Sequence, residues 1–222
     1  MQKSEMMNER TDLLDEVAGY YSAKLAEYGQ TAQGVDWNGE ESQVLRFAQL
    51  ARIIGDTKDS FSVNDLGCGY GALREYLGGL YPALTYTGID VAEEMIQAAG
   101  HRHGADASTR FIVGSEPDAT ADFGIASGIF NVRMARGDGE WLDYIKSSLD
   151  TMNRTSRLGF AFNCLTSYSD ADKIRNTLYY ADPCELFDHC KRHYSRNVAL
   201  LHDYGLYEFT ILVRKDEGAT PK

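Results

Sequence analysis

Apolar positions recur every three to four residues between about Glu5 and Tyr28, at Leu13, Leu14, Val17, Tyr20, Tyr21, Leu25 and Tyr28. That period predicts an amphipathic helix, which Gly29 stops. After a polar stretch through Gly34 and Asn38, the same period returns from about Glu40 to Ile54, at Val44, Leu45, Phe47, Leu50, Ile53 and Ile54.

Beyond residue 55 the pattern changes to short β-rich runs at Ser62–Leu66, Thr85–Ile89, Arg110–Val113, Phe123–Ser127 and Leu158–Asn163. Helical segments are predicted at Ala72–Leu77, Ala92–His101, Asp138–Met152 and Pro183–His193. Strands alternating with helices imply βαβ units and a parallel sheet. The last two runs, Asn197–His202 and Glu208–Val213, are joined by only Asp203-Tyr204-Gly205-Leu206-Tyr207, so they must pair antiparallel. The expectation is one α/β unit: a helical N-terminal extension over residues 1–55, a core over 56–215 and a frayed tail over 216–222.

Composition adds limits. A hydrophobic share of 43% and a charged share of 25% suit an ordinary globular protein. There is no apolar leader at the N-terminus, and no run approaches the roughly 18 apolar residues of a membrane span. A soluble, cytoplasmic protein is expected, monomeric or homodimeric and without a membrane partner. A net charge of −11 is repelled by phosphate backbones, and no Lys/Arg cluster offsets it, so nucleic acid is not expected as a partner.

The four cysteines (Cys68, Cys164, Cys184 and Cys190) have irregular spacing, which favours free thiols. Cys184, His189, Cys190 and His193 share one predicted helix and lack a second Cys-x-x-Cys pair; no metal is expected.

The chemistry is concentrated where the first strand ends. Asp65-Leu66-Gly67-Cys68-Gly69-Tyr70-Gly71 leads from strand into helix, the place where a parallel sheet binds nucleotide-like ligands. The glycines let the backbone turn sharply and let a ligand come close. The second strand ends at Asp90, nineteen residues beyond Gly71, where a carboxylate can accept from both hydroxyls of a ribose. A dinucleotide fingerprint would read Gly-x-Gly-x-x-Gly, with a pyrophosphate at the helix N-terminus. Here the spacing is Gly-x-Gly-x-Gly and an acid precedes it. Asp65 disfavours phosphate and suits an ammonium, so the ligand predicted bears adenosine, is zwitterionic and has no phosphate.

These residues, with Gly88-Ile89-Asp90, resemble the first two motifs of the class I S-adenosylmethionine-dependent methyltransferases. The resemblance extends from Phe61 to Val213 and implies a Rossmann-like, seven-stranded, mostly parallel sheet with a C-terminal antiparallel hairpin and an N-terminal helical lid. It implies S-adenosyl-L-methionine as cofactor, with Gly67 and Gly69 along the methionine portion and Asp90 on the ribose. Cys68 and Val91, beside these residues, are expected to contact the cofactor as well. Ser115 stands after the third strand, where many members carry an adenine-binding aspartate; either it or a backbone group makes that bond. Ser127 and Ile129, at the end of the fourth strand, are expected to face the sulfonium. The Asn/Asp-Pro-Pro-aromatic sequence of nucleic-acid amino-methylating members is absent.

The expected reaction is in-line methyl transfer to a small molecule at O, N or S, which requires positioning more than a fixed catalytic signature. Trp37 is a candidate cap on the cofactor, or an aromatic packed beside a helix. Tyr180 and His202 are candidate catalytic residues near the acceptor, His202 because it titrates near neutrality. Asn163, at the end of the fifth strand, is a candidate for orienting a polar substrate. His101 and His103 are expected to be solvated. A non-catalytic module binding the same cofactor and a dinucleotide-dependent oxidoreductase remain alternatives.

Overall fold

The computed structural model describes residues 2–35, 39–104 and 106–216. Helix α1 (Gln2–Tyr28) ends where Gly29, with φ +65°, returns its N–H to Leu25 O at 2.8 Å. Helix α2 (Glu40–Ala51) is shorter than its apolar pattern suggested, because residues 52–54 form turns.

The core then runs β1 (Phe61–Leu66), α3 (Ala72–Leu80), β2 (Leu84–Asp90), α4 (Glu93–His103), β3 (Thr109–Val113) and β4 (Ala121–Ala126). It continues with α5 (Asp138–Thr155), β5 (Ser156–Leu165), α6 (Pro183–His193), β6 (Asn197–Leu201) and β7 (Glu208–Arg214). Helix α6 starts as its sequence dictates. Pro183 occupies the first turn, and the Asp182 carboxylate accepts from the N–H groups of Cys184 and Glu185 at 2.8 and 3.3 Å.

The seven strands form one sheet in the order β3-β2-β1-β4-β5-β7-β6. All neighbours are parallel except β5·β7 and β6·β7. The fold class expected from the sequence is therefore the one found. Strands β1, β4, β5 and β7 are buried almost throughout, as strands covered on both faces must be, while β3 and β6 are the half-exposed edges.

Two hydrophobic layers follow from the period-2 alternation. Leu66, Ile89, Phe160, Phe162, Phe209 and Ile211 face α5 and α6, with Trp141, Ile145, Leu149 and Leu186. Val63, Tyr86, Ile125, Ala161 and Leu212 face α2 and α3, with Phe47, Leu50, Leu73 and Leu77. On that second face, period two also places three polar side chains in the buried interior, Asp65, Asn163 and Glu208, each at the carboxyl edge of the parallel strands.

Strand order reverses between β1 and β4. A cleft opens beyond the carboxyl ends of neighbouring parallel strands at such a reversal, because their following connections leave to opposite sides. Among the described residues no helix is long and apolar enough to cross a membrane.

Candidate active site

The loop after β1 folds back over the end of β2. The N–H groups of Gly67 and Cys68 both donate to Ile89 O, at 2.7 and 3.0 Å. Gly67, Gly69 and Gly71 have φ of +74°, +53° and +83°, a region that penalises any Cβ. At Gly67 there is a second reason for glycine: a Cβ would overlap the Ile129 Cγ2 methyl. Asp90 then fixes the loop. Its Oδ2 accepts from Gly69 N–H and its Oδ1 from Ala92 N–H, both at 2.9 Å.

Asp65 is buried, at 1% exposure, beneath the same loop. Its Oδ2 accepts a short hydrogen bond from the Tyr86 hydroxyl, and its Oδ1 is buried with no hydrogen-bond partner. Burial raises its pKa to about 7, against the pull of the Tyr86 hydroxyl and helped by the nearby charge of Asp90. Asp90 is also raised by burial, although the N–H groups of Ala92 and Gly69 oppose the shift. Ser127 Oγ is a further buried polar atom without a partner.

These groups line a cleft of ≈ 960 Å³, its open mouth included. Asp65, Gly67, Cys68, Gly69, Asp90, Val91, Ser115, Ser127 and Ile129 all belong to its wall. Glu116, next to Ser115, instead turns to α5, where Arg154 Nη2 donates to it at 3.0 Å. The wall also contains residues for which sequence inspection assigned no site: Leu14, Val17 and Tyr21 of α1, Gln43 and Phe47 of α2, and Tyr144 and Ser148 of α5. Leu14, Val17 and Tyr21 carried a signal, since all three lie on the apolar stripe of α1. Trp37 lies outside the described residues.

A second, more polar cavity of ≈ 1730 Å³, mouth included, shares Tyr21, Val35 and Gly128 with the first. Gly128 has φ +80° and donates its N–H to Asn163 Oδ1 at 2.9 Å. Asn163 Nδ2 donates to Glu208 Oε2 at 2.7 Å, and Arg46 Nε donates to the same oxygen at 2.7 Å. This relay is buried throughout. Asn163 thus serves the fold of the β4–α5 connection rather than facing open space. Arg46 and Glu208 were not singled out from the sequence, where a charged residue on a helix or at a strand start looks solvated.

Tyr180 lines the second cavity, but its hydroxyl accepts from Arg175 N–H at 3.1 Å and donates to Lys173 O at 3.0 Å. His202 lies just past β6, exposed, with its ring near those of Tyr168 and Phe209, and is part of neither cavity wall. His103 is not solvated as expected. It is half-buried, stacks on Phe111 and bonds Gly71 O at 2.9 Å, and burial lowers its pKa.

The comparisons agree with this geometry. A family model described as a methyltransferase domain matches residues 63–150. A Mycobacterium tuberculosis protein named "Putative methyltransferase Rv1506c" is 60% identical over 162 residues, covering 73% of this chain and 98% of that protein. Magnesium protoporphyrin IX methyltransferase from Synechocystis PCC 6803, solved with S-adenosylhomocysteine, superposes with a TM-score of 0.67 at 14% identity, covering 93% of this chain and 100% of that one. The DhpI–S-adenosylhomocysteine complex gives 0.65 at 18% identity, covering 91% and 96%. With a glycine loop and strand-end acid at the sheet's switch point and a relative this similar over most of the chain, the protein belongs to the class I S-adenosylmethionine-dependent methyltransferases.

Proposed function

We propose that the protein transfers the methyl group of S-adenosylmethionine to a small molecule held in the second cavity, at an oxygen, nitrogen or sulfur atom. The observation that carries this reading is the shared wall. Tyr21, Val35 and Gly128 separate an acid-lined cleft from a roomier polar one, so a donor and an acceptor can meet there.

The first cleft fits the cofactor on its own chemistry. Asp65 Oδ1, buried and without a partner, is matched by the ammonium of the methionine portion. Asp90 accepts the N–H groups of Gly69 and Ala92, and its carboxylate keeps lone-pair capacity for a ribose hydroxyl. Ser115 supports the adenine end and Ser127 the methionine end. Bound there, S-adenosylmethionine supplies a methyl group activated on a sulfonium.

The chain's own part is positional. Leu14, Val17 and Tyr21 exclude water from above, and the Asn163–Glu208–Arg46 relay fixes the Gly128 backbone where the two cavities meet. We assign Tyr180 a shaping role, because both sides of its hydroxyl bonding are engaged by the 173–175 turn. The helical extension over residues 1–55 acts as the lid.

Calorimetric titration with S-adenosylmethionine and NADH, followed by assay of S-adenosylhomocysteine release on a pool of small metabolites, tests the reading. Binding of the first ligand alone with turnover on at least one metabolite is expected. Binding of NADH alone, or no turnover on any pool, overturns it.

A further inference from the structure

Glu208 is buried, at 1% exposure, yet only one of its two carboxylate oxygens is bonded. Oε2 accepts from Arg46 Nε and from Asn163 Nδ2, both at 2.7 Å. Oε1 is buried and has no hydrogen-bond partner. A buried carboxylate oxygen without a donor is costly, because the water it gave up is not replaced. Holding Gly128 requires Oε2 alone, so Oε1 calls for a reason beyond the fold.

Its position supplies one. Gly128, Arg46 and Glu208 belong to the wall of the second cavity, whereas Asn163, which links them, does not. Glu208 opens β7 opposite Leu165, another residue of that wall. One side-chain amide separates it from the Gly128 N–H, at the point where this cavity meets the cofactor cleft. That N–H also fixes the sense of the relay. It requires an oxygen on the Asn163 atom it meets, so the other end of the amide is the NH2 that donates to Oε2.

We propose that Glu208 Oε1 receives the O–H or N–H of the acceptor's nucleophile, so that the second cavity selects hydroxyl or amine acceptors and turns their reacting atom toward Gly128. The proposal rests on the donor–acceptor reading above and narrows the acceptor's class. A thioether or a tertiary amine has no hydrogen to give. An ionised carboxylate only accepts, and away from water a bond to it is stronger than the same bond in solvent. Orientation follows, because the hydrogen is held on one side and a lone pair of the same atom is left to face the junction.

The test uses the full chain saturated with S-adenosylhomocysteine, titrated by calorimetry with ring probes of similar size. Phenol offers an O–H, aniline an N–H, benzonitrile an acceptor nitrogen only, and fluorobenzene no donor. Phenol or aniline is expected to bind about tenfold or more tighter than fluorobenzene, with benzonitrile no better than fluorobenzene. Which of the two leads distinguishes a hydroxyl from an amine acceptor. Glu208→Gln has a consequence sharper than loss. Arg46 Nε and Asn163 Nδ2 both donate at the Oε2 position, so the new amide must place its oxygen there and its NH2 where Oε1 was. The order should then invert, with benzonitrile above fluorobenzene and aniline no longer favoured; a purely structural Glu208 would leave it unchanged. Should that variant fail to fold, Arg46→Met with Glu208→Leu carries the test, with all four probes binding alike and affinity for S-adenosylhomocysteine, which reports folding, retained. Fluorobenzene matching both phenol and aniline in the parent, no binding of any probe, or the parental order in a variant that still binds S-adenosylhomocysteine would overturn the proposal. Failure of the parent chain to bind S-adenosylhomocysteine would instead overturn the donor–acceptor reading itself.

Discussion

The Asp90 carboxylate accepts the Gly69 N–H at 2.9 Å, so the acid that ends β2 also holds closed the loop that ends β1. Its other oxygen caps the next turn through Ala92 N–H. Asp90 therefore organises the cleft before any ligand arrives. Asp90→Ala should weaken cofactor binding by about 2–4 kcal/mol, through lost charge-assisted bonds to the ribose and a loosened loop. Asp90→Asn, which keeps one acceptor oxygen, should fall between that variant and the parent. Calorimetry with S-adenosylhomocysteine measures both. An Asp90→Ala protein binding as tightly as the parent would contradict the assignment.

Asp65 is expected to make cofactor binding pH-dependent. Its pKa rises on folding from 3.8 to about 7, so the folded state holds a proton that the unfolded chain has released. The stability this gives is complete below about pH 4 and is lost as pH rises through about 7. A bound ammonium favours the ionised carboxylate, so cofactor affinity should increase over the same window and binding should release a proton. Titrations between pH 5.5 and 8 in buffers of different ionisation enthalpy read that proton directly. Asp65→Asn should flatten both dependences; a parent-like slope in that variant would place the titrating group elsewhere.

Ile129 and Gly67 form a steric pair across the cleft. Gly67→Ala would force a left-handed φ of +74° on a residue with a Cβ and drive that Cβ into the Ile129 Cγ2 methyl. The backbone part costs about 1–2 kcal/mol, and the overlap adds to it. Combining it with Ile129→Ala should relieve only the overlap, so the double variant should be more stable than the sum of the single effects predicts. Strict additivity in urea unfolding would show that Ile129 yields freely.

Most of the fold was legible because its signals are local and periodic. Short β-rich runs marked the strands, and the turn through Gly205 forced the hairpin. Asp65, Gly67, Gly69 and Asp90 stood out for the same reason, since special backbone and buried charge are rare at strand ends. What escaped inspection depends on long-range packing. Val17 and Tyr21 look like any helix stripe until α1 is seen against the cleft. Ser127–Asn131 reads as a strand exit, with nothing to show that Gly128 is tied to Asn163, 35 positions away. His202 shows the opposite failure, where titratable chemistry at a strand end drew attention but the strand proved to be the far edge of the sheet.

The Arg46–Glu208 pair, at 6% and 1% exposure, links α2 to β7 across 162 positions of sequence and has consequences for both stability and rate. Removing one partner leaves the other charge buried and uncompensated, which costs about 3–5 kcal/mol. Glu208→Gln should therefore lower the urea midpoint sharply. Replacing both, as Arg46→Met with Glu208→Leu, removes the charges together and should recover much of that loss. Recovery of activity should not follow, because Asn163 Nδ2 then has no acceptor and its hold on the Gly128 N–H slackens. In the proposed arrangement the methyl group passes at the junction Gly128 forms, where a misplacement of about 1 Å is enough to lower the rate strongly. The double variant is thus expected to be more stable than Glu208→Gln and parental in cofactor affinity, yet lower in turnover by about tenfold or more. A double variant with parental turnover would show that the relay serves the fold alone.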